Sequence, residues 1–262
     1  NQITSRLYGL ENLHANFEGF QEGVKSVMMW QKKRVQHADG RVSESHELKP
    51  VSDVVSVEQD YELAMEAALG QRLQLLLSDS GPQALEAVDH LKAEKSGRSS
   101  FLPLGELPSY ENQSIEGLTT LRSLISCPDK YRAAVDHMTH NIAVVDSINQ
   151  AMELRGQHRD WTFVTKEGDT LSADGILTGG TAESAASGIL KRGREIKELS
   201  QKKQECAGKL ALSQQALQKL EAQLNNMEEE LKKAQRSHAE QEIRLAELRK
   251  DNERAENEWK NA

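Results

Sequence analysis

From Ile196 onward an apolar residue recurs every seven positions at Leu210, Leu217, Leu224, Leu231 and Leu245. A second row, offset by three, holds Leu199, Cys206, Leu220, Met227, Ala234 and Leu248. Alternating spacings of three and four over about nine heptads mark a coiled-coil seam, in which one apolar stripe stays turned toward a partner helix. The flanks are rich in Glu, Lys and Gln, as in Glu228-Glu229-Glu230-Leu231-Lys232-Lys233, with no Pro and, beyond Gly208, no Gly. Residues 191–259 therefore extend about 100 Å, at about 1.5 Å per residue. A wholly globular chain is excluded, and composition agrees. Hydrophobic residues make up 37% and aromatics 4% of the 262 residues, fewer than a compact core of that length usually draws on. The count of 5 Pro favours fibrous helix over disorder for the remainder.

The N-terminus follows the same rule for a shorter distance. Ile3, Leu10, Phe17 and Val24 form one row and Leu13, Phe20 and Val27 the other, before the stripe ends at Met28-Met29-Trp30 and the basic Gln31-Lys32-Lys33-Arg34. Gly19 and Gly23 lie inside this predicted helix, off the seam, each at a cost of about 1 kcal/mol relative to Ala, which points to close packing. A short coil at one end and a longer one at the other predict an antiparallel pair, with the residues between them forming a capping domain. The distal C-terminal arm then has no partner within the chain.

The middle, residues 50–182, reads as α/β with an internal duplication. Tyr61-Glu62-Leu63-Ala64-Met65-Glu66, a β-like run from Leu73 to Leu77, and Asp79-Ser80-Gly81-Pro82-Gln83-Ala84-Leu85-Glu86 make the first copy. Tyr131-Arg132-Ala133-Ala134-Val135-Asp136, Ile142 to Val145, and Asp146-Ser147-Ile148-Asn149-Gln150-Ala151-Met152-Glu153 make the second. The tyrosines are 70 residues apart and the Asp-Ser pairs 67. A strand follows each copy, at Ser99–Leu104 and Trp161–Thr165. The predicted organisation is an N-terminal arm (1–35), a first subdomain (50–104), a linker (105–120) containing Gly105, Pro108 and Gly117, a second subdomain (121–182) and a C-terminal arm (190–262).

Several chemistries lack their residues. Gly19-Phe20-Gln21-Glu22-Gly23-Val24-Lys25-Ser26 has neither the P-loop spacing nor a Lys directly after the second glycine. His137 and His140 can share a helix face and bind a metal, but a solvated or half-buried pair is far more common. There is no Gly-x-Ser-x-Gly elbow, and Cys127 precedes a Pro. Cys127 and Cys206 form neither a disulfide framework nor a zinc motif and suit a reducing compartment. No catalytic residue, metal or cofactor is expected. No run approaches 18 apolar residues, so no membrane span is predicted. The first residue is Asn and no signal peptide follows, so the chain reads as a piece of a longer protein. A net charge of −8 excludes a uniformly basic nucleic-acid coat but not a local basic patch.

The most distinctive local feature is Asp174-Gly175-Ile176-Leu177-Thr178-Gly179-Gly180. Glycines on both sides of this short apolar run permit close backbone approach. Three uses remain open: amides presented to an anion, a strand edge meeting a second chain, or a turn leading into the coil.

Taken in order, these blocks resemble the hinge of bacterial SMC (structural maintenance of chromosomes) proteins over essentially the whole chain. The matching blocks are Phe17 to Val27, Tyr61 to Gly70, Phe101-Leu102-Pro103-Leu104 and Gly175 to Gly180, whereas the polar stretch from Gln36 to Glu47 matches none. The resemblance implies an α/β hinge of two pseudo-repeated subdomains, flanked by an antiparallel coiled coil, that acts as a non-enzymatic homodimerisation module in chromosome condensation and segregation. Phe101, Leu102, Pro103 and Leu104 of one copy would pair with Gly175, Ile176, Leu177, Thr178, Gly179 and Gly180 of the other. ATPase heads, which bind ATP and the kleisin-type and accessory subunits, would lie outside this piece, and the protein would be cytoplasmic and nucleoid-associated. Non-specific DNA binding is implied where Lys32, Lys33 and Arg34 meet Lys191, Arg192 and Arg194; six phosphate contacts at about −0.9 each give a log K against log salt slope near −5. Two other readings compete. A coiled-coil DNA-repair ATPase would carry a Cys-x-x-Cys zinc hook, which is absent, and a coil-flanked sensor that binds a small molecule or nucleotide with the Gly-rich segment would need a pocket lined by both halves of the duplication.

Overall fold

The computed structural model describes residues 2–37, 47–110, 113–180 and 188–261. The polar stretch singled out above lies mostly outside them, as do 181–182 at the end of the second subdomain. Two compact units divide the chain, residues 1–201 and 202–262.

The duplication governs the first unit. Strand β1 (Lys49–Pro50) leads into a single helical turn, α3 (Val51–Val54), then α4 (Glu62–Leu69), β2 (Leu76–Ser78), α5 (Gly81–Glu94) and β3 (Phe101–Pro103). The second copy repeats this order as β4 (Thr119–Thr120), α6 (Leu121–Leu124), α7 (Asp129–Thr139), β5 (Ile142–Val145), α8 (Ile148–Arg155) and β6 (Thr162–Thr165). Each copy has its middle strand antiparallel to the first and parallel to the last. Registers match as well: Pro50 faces Leu76 as Thr120 faces Ala143, and Leu76 faces Phe101 as Ala143 faces Phe163. Even the turn before α5 and α8 is copied. The side-chain oxygens of Gln83 and Gln150 accept the amides of Asp79 and Asp146, each at 2.9 Å. Ser147 also caps α8 by accepting Gln150 N–H, whereas Ser80 makes no such bond.

Ser56 and Ser126, equivalent residues of the two copies, bond each other reciprocally through their backbones at 2.8 Å. Mutual bonding of equivalent residues marks a local two-fold axis. One core crosses that axis, with Val51, Met65, Leu73 and Leu77 from the first copy and Leu121, Ile125, Val135 and Val164 from the second. Lys130 also reaches across to Asp79 at 2.7 Å. The copies part company after their last strands. In the second, the chain returns as β7 (Thr170–Leu171) and β8 (Leu177–Thr178), extending the sheet to the order β4-β5-β6-β7-β8, whereas the first sheet stops at β1-β2-β3.

Several sequence expectations are corrected. The N-terminal arm is not one coil but α1 (Gln2–Ala15) and α2 (Glu22–His37), separated where Phe17 takes φ 54° and Gly19 φ 85°. Gly19 thus serves a turn, not a helix. Helix α2 leaves the seam and packs Val24, Val27 and Met28 against Leu76, Ala87 and Leu91 of the first copy. On α1 the second row is Leu7 and His14, not Leu13, because Leu7 is buried while Leu13 is 47% exposed. The second copy begins at Thr119, inside the expected linker, and a 3₁₀ turn at Gly70–Gln74 occupies the start of the expected Leu73–Leu77 strand.

The C-terminal helix, α9 (Ile189–Asn261), is continuous. Its first turns meet α1 in antiparallel order. Arg6 bonds Glu195 at 2.9 Å and Arg192 donates to the Glu18 carbonyl at 2.7 Å. In the second unit the heptad leucines, Leu210 to Leu248, are each more than half exposed.

Candidate functional site

Strand β3 is bonded only to β2 and strand β8 only to β7, so each presents an open edge among the described residues. Backbone direction alternates along a strand. Because Ser100 accepts the Leu76 amide, Ser100 and Leu102 face β2, and Phe101 and Pro103 face outward. On the other edge, Ser172 bonds the Ile176 carbonyl at 3.0 Å, so Ile176 and Thr178 face β7, and Leu177 and Gly179 face outward. Ile176 and Leu177 also expose their side chains, at 61% and 56%. An exposed apolar edge strand is a template for pairing with another chain.

The hairpin that carries β8 is rigidly built. Gly175, at φ 93°, closes a turn in which its amide bonds Ser172 O at 2.9 Å, as in three-residue hairpins with a glycine bulge. Ser172 also donates to the carboxylate of Asp174, which holds that group below the usual carboxylate range. The close approaches at the glycines lie within the chain. A Cβ on Gly179 would sit 2.5 Å from Asp169 Oδ1, and one on Gly175 would meet the Arg155 guanidinium. Gly180, at φ 116°, donates to the same Asp169 oxygen at 3.2 Å.

The basic clusters converge on one helix end. Lys32 from α2 donates to Ala15 O at 2.6 Å and so caps the end of α1, where positive charge is favoured, and Arg192 from α9 donates to Glu18 O at 2.7 Å in the turn that follows. Neither meets a carboxylate there. Lys33 and Lys191 are exposed and belong to no ion pair among the described residues. Arg34 and Arg194, by contrast, are occupied. Arg34 pairs with Glu86 at 2.6 Å and lies over Trp30, and Arg194 bonds Glu62 at 2.6 and 3.3 Å and Glu198 at 2.8 Å.

Two residues the sequence reading passed over tie α9 to the body. Glu62 and Glu66 lie one turn apart on one face of α4. Glu62, 8% exposed, receives Arg194, and Glu66 accepts the amide of Gly188 at 3.0 Å. Burial pushes the Glu66 carboxyl up, with the Gly188 amide opposing it. The spacing of two acids on a helix was visible; their partners 122 and 132 residues away were not. On α1, His14 stands 3.7 Å from Asp53, whose carboxyl burial also raises, with His14 opposing.

His137 accepts or donates at 2.8 Å to the Tyr110 hydroxyl, and Tyr110 stacks on His140. Among the described residues no three His, Cys, Asp or Glu side chains gather to hold a metal, and no helix is long and apolar enough to cross a membrane. A cleft of about 1010 Å³ is lined by Val54 to Glu58 of the first copy and by Leu124, Ser126, Cys127 and Pro128 of the second, but none of Gly175 to Gly180 lines it. The sensor reading therefore loses the glycine-rich segment.

Residues 45–155 match the family model described as the SMC proteins flexible hinge domain. The chain is 31% identical over 266 residues to the chromosome partition protein Smc of Myxococcus xanthus, covering 94% of this chain and 21% of that protein. It is 30% identical to the Bacillus subtilis protein of the same name, covering 84% and 18%. The chain thus spans about a fifth of the length of these relatives. Among solved structures, an asymmetric dimer of the Geobacillus stearothermophilus SMC hinge domain superposes with a TM-score of 0.68 at 28% identity, covering 80% of this chain and 84% of that one. The folded elbow of cohesin, at 18% identity and a TM-score of 0.62 over 86% of this chain and 32% of that one, shares the fold. Duplicated subdomains, a returning C-terminal helix and these matches together make the chain a member of the SMC hinge family, of the bacterial type.

Proposed function

We propose that this chain is the homodimerisation hinge of a longer SMC protein acting in chromosome partition. One observation carries the reading: β6 is covered by the antiparallel strand β7, while its counterpart β3 has an open outer edge. Strand β8, exposed on its outer edge, supplies what the first sheet lacks. Two copies related by a two-fold axis satisfy both edges of both chains at once, through Phe101–Leu104 and Gly175–Gly180, and an isologous closed pair results. ATP hydrolysis and the kleisin-type and accessory subunits belong to head domains outside this sequence, and no cofactor is assigned here. The work of the whole protein on a nucleoid in the cytoplasm is part of the same proposal.

The test is a charge on the edge. Leu177→Arg is expected to give folded monomers, because an arginine there buries an unpaired charge in the interface. Leu85→Arg, at a residue 64% exposed on α5, is expected to leave the dimer intact. An unchanged dimer with Leu177→Arg would move the interface elsewhere. Substituting Gly179 and Gly180 is a poorer probe, since a Cβ on Gly179 would meet Asp169 within the chain and Gly180, at φ 116°, strains any side chain.

DNA contact at the α1 turn is proposed as a second property. Among the described residues Lys32, Lys33, Lys191 and Arg192 meet no carboxylate, and convergence of the α2 and α9 clusters on one turn supports a single patch. Arg34 and Arg194 contribute less, because their charges are already matched.

A further inference from the structure

We infer that the two edges meet in one register, antiparallel, with Phe101 of one chain opposite Leu177 of a second copy, and that Pro103 and Gly175 fix it. This rests on the dimer reading and adds to it the identity of the positioning residues. The template is inside the chain. Phe163, the counterpart of Phe101, faces Leu171 of β7 in antiparallel pairing, and Thr165 N–H bonds Asp169 O at 2.9 Å, so Phe163, two residues before it, also turns its backbone groups toward β7. Phe101 presents the same groups outward with nothing on them among the described residues, and Leu177 is the outward residue of β8.

Slipping the pairing by one residue turns every side chain to the opposite face. Slipping it by two in one direction sets Leu177 against Pro103, which has no amide hydrogen to donate, and leaves the Leu177 carbonyl unsatisfied inside the interface. Slipping by two in the other direction sets Phe101 against Gly175, whose amide is already bonded to Ser172 O at 2.9 Å. In the inferred register these two non-donors lie opposite each other, where the pairing ends and solvent begins. Each slip loses a donor. Only this register keeps both non-donors out of the interior of the pairing, while Phe101 and Leu177 each donate to the other's carbonyl.

Disulfide cross-linking of the full 262-residue chain, with Cys127 and Cys206 replaced by Ser, tests this. Leu102→Cys with Ile176→Cys places the cysteines opposite each other in the inferred register, at a non-hydrogen-bonded site where Cα atoms lie about 4.5 Å apart, within disulfide reach. Leu102→Cys with Thr178→Cys reports the slip that sets Pro103 against Leu177. The expected yield of the second pair is below about a tenth of the first, the ratio set by one unsatisfied carbonyl. Adding Pro103→Ala should raise it several-fold. Ser100→Cys with Thr178→Cys, which leaves Leu102 in the core, should link as readily as the first pair. Equal yields from the in-register and slipped pairs in a dimeric chain would overturn the register alone. No linkage from any pair in a dimeric chain would overturn the strand-edge reading and the register together, and a monomeric mass would overturn the dimer itself.

Discussion

Replacing Gly23 by Ala sets helix propensity directly against packing. Gly23 lies in α2, so propensity alone says that Ala gains about 1 kcal/mol. The structure says otherwise. A Cβ at Gly23 would stand 2.1 Å from Arg98 O and 2.4 Å from its carbonyl carbon, and the 3.4 Å of ordinary contact requires the Arg98 carbonyl to retreat by 1.3 Å. That loop has little room to retreat. Gly97, at φ 92°, already backs onto the Gly23 amide, and Ser96 Oγ is bonded to Ser26 Oγ at 2.7 Å. Overpacking of this kind costs about 1–3 kcal/mol, and a clash with backbone rather than with a side-chain end lies at the upper end of that range, so after the propensity gain the net expectation is a loss of up to about 2 kcal/mol, or up to about 8 °C in Tm for a domain of this size. Gly9, in α1 with no atom within 4 Å of the position a methyl group would take, is the control: Gly9→Ala should raise Tm by up to about 4 °C. Thermal unfolding by circular dichroism, at one fixed chain concentration because association shifts Tm, reads both. A Gly23→Ala protein as stable as the parent would refute the close-approach argument.

Other expectations follow from the same contacts. Arg194→Ala strands the buried Glu62 carboxylate and should cost about 3 kcal/mol in denaturant unfolding, against about 1 kcal/mol or less for Arg34→Ala at the exposed Glu86 pair; similar costs at both would contradict the assigned role of Glu62. Burial raises the Asp53 carboxyl. A carboxyl raised in the folded state favours that state at low pH, and this contribution is lost as pH rises through the raised value. Asp53→Asn should therefore gain stability relative to the parent at pH 7, and the gain should shrink toward pH 4; a difference that does not change with pH would show that the burial cost is not electrostatic. For DNA, four contacts from Lys32, Lys33, Lys191 and Arg192 give a slope near −3.6 at about −0.9 each. Reversing Lys33 and Lys191 should flatten it by about 2, and an unchanged slope in salt titrations would remove them from the patch.

How much of this was legible in the sequence depended on the range of the interaction. The duplication was, because Tyr61 and Tyr131 and the two Asp-Ser turns preserve local chemistry that the two copies still use, down to Gln83 and Gln150 on equivalent amides. Strand β5 occupies Ile142–Val145, the run read from its β-branched residues. Strands β1 and β4 are two residues long and carry no periodicity. On α1, Leu7 and Leu13 both fit spacings of three and four with the row Ile3, Leu10 and Phe17, and only packing chose Leu7; its seam partner His14 is polar and gave no apolar signal. The break at Phe17 was equally hidden, since a bulky residue at φ 54° has no sequence signature. At the candidate edges, the residues Phe101–Leu104 and Gly175–Gly180 came from resemblance. Their backbone directions came only from the sheet registers. Pairing of Arg34 with Glu86 and of Arg194 with Glu62 was invisible because it joins residues 52 and 132 positions apart.

The central claim is that an unfinished sheet edge in one copy is completed by another copy. Absolute mass by light scattering across a dilution series tests it most directly. The account predicts a mass near twice 29.2 kDa that persists on dilution and falls to the monomer value with Leu177→Arg. A parent chain that stays monomeric at every concentration would contradict it.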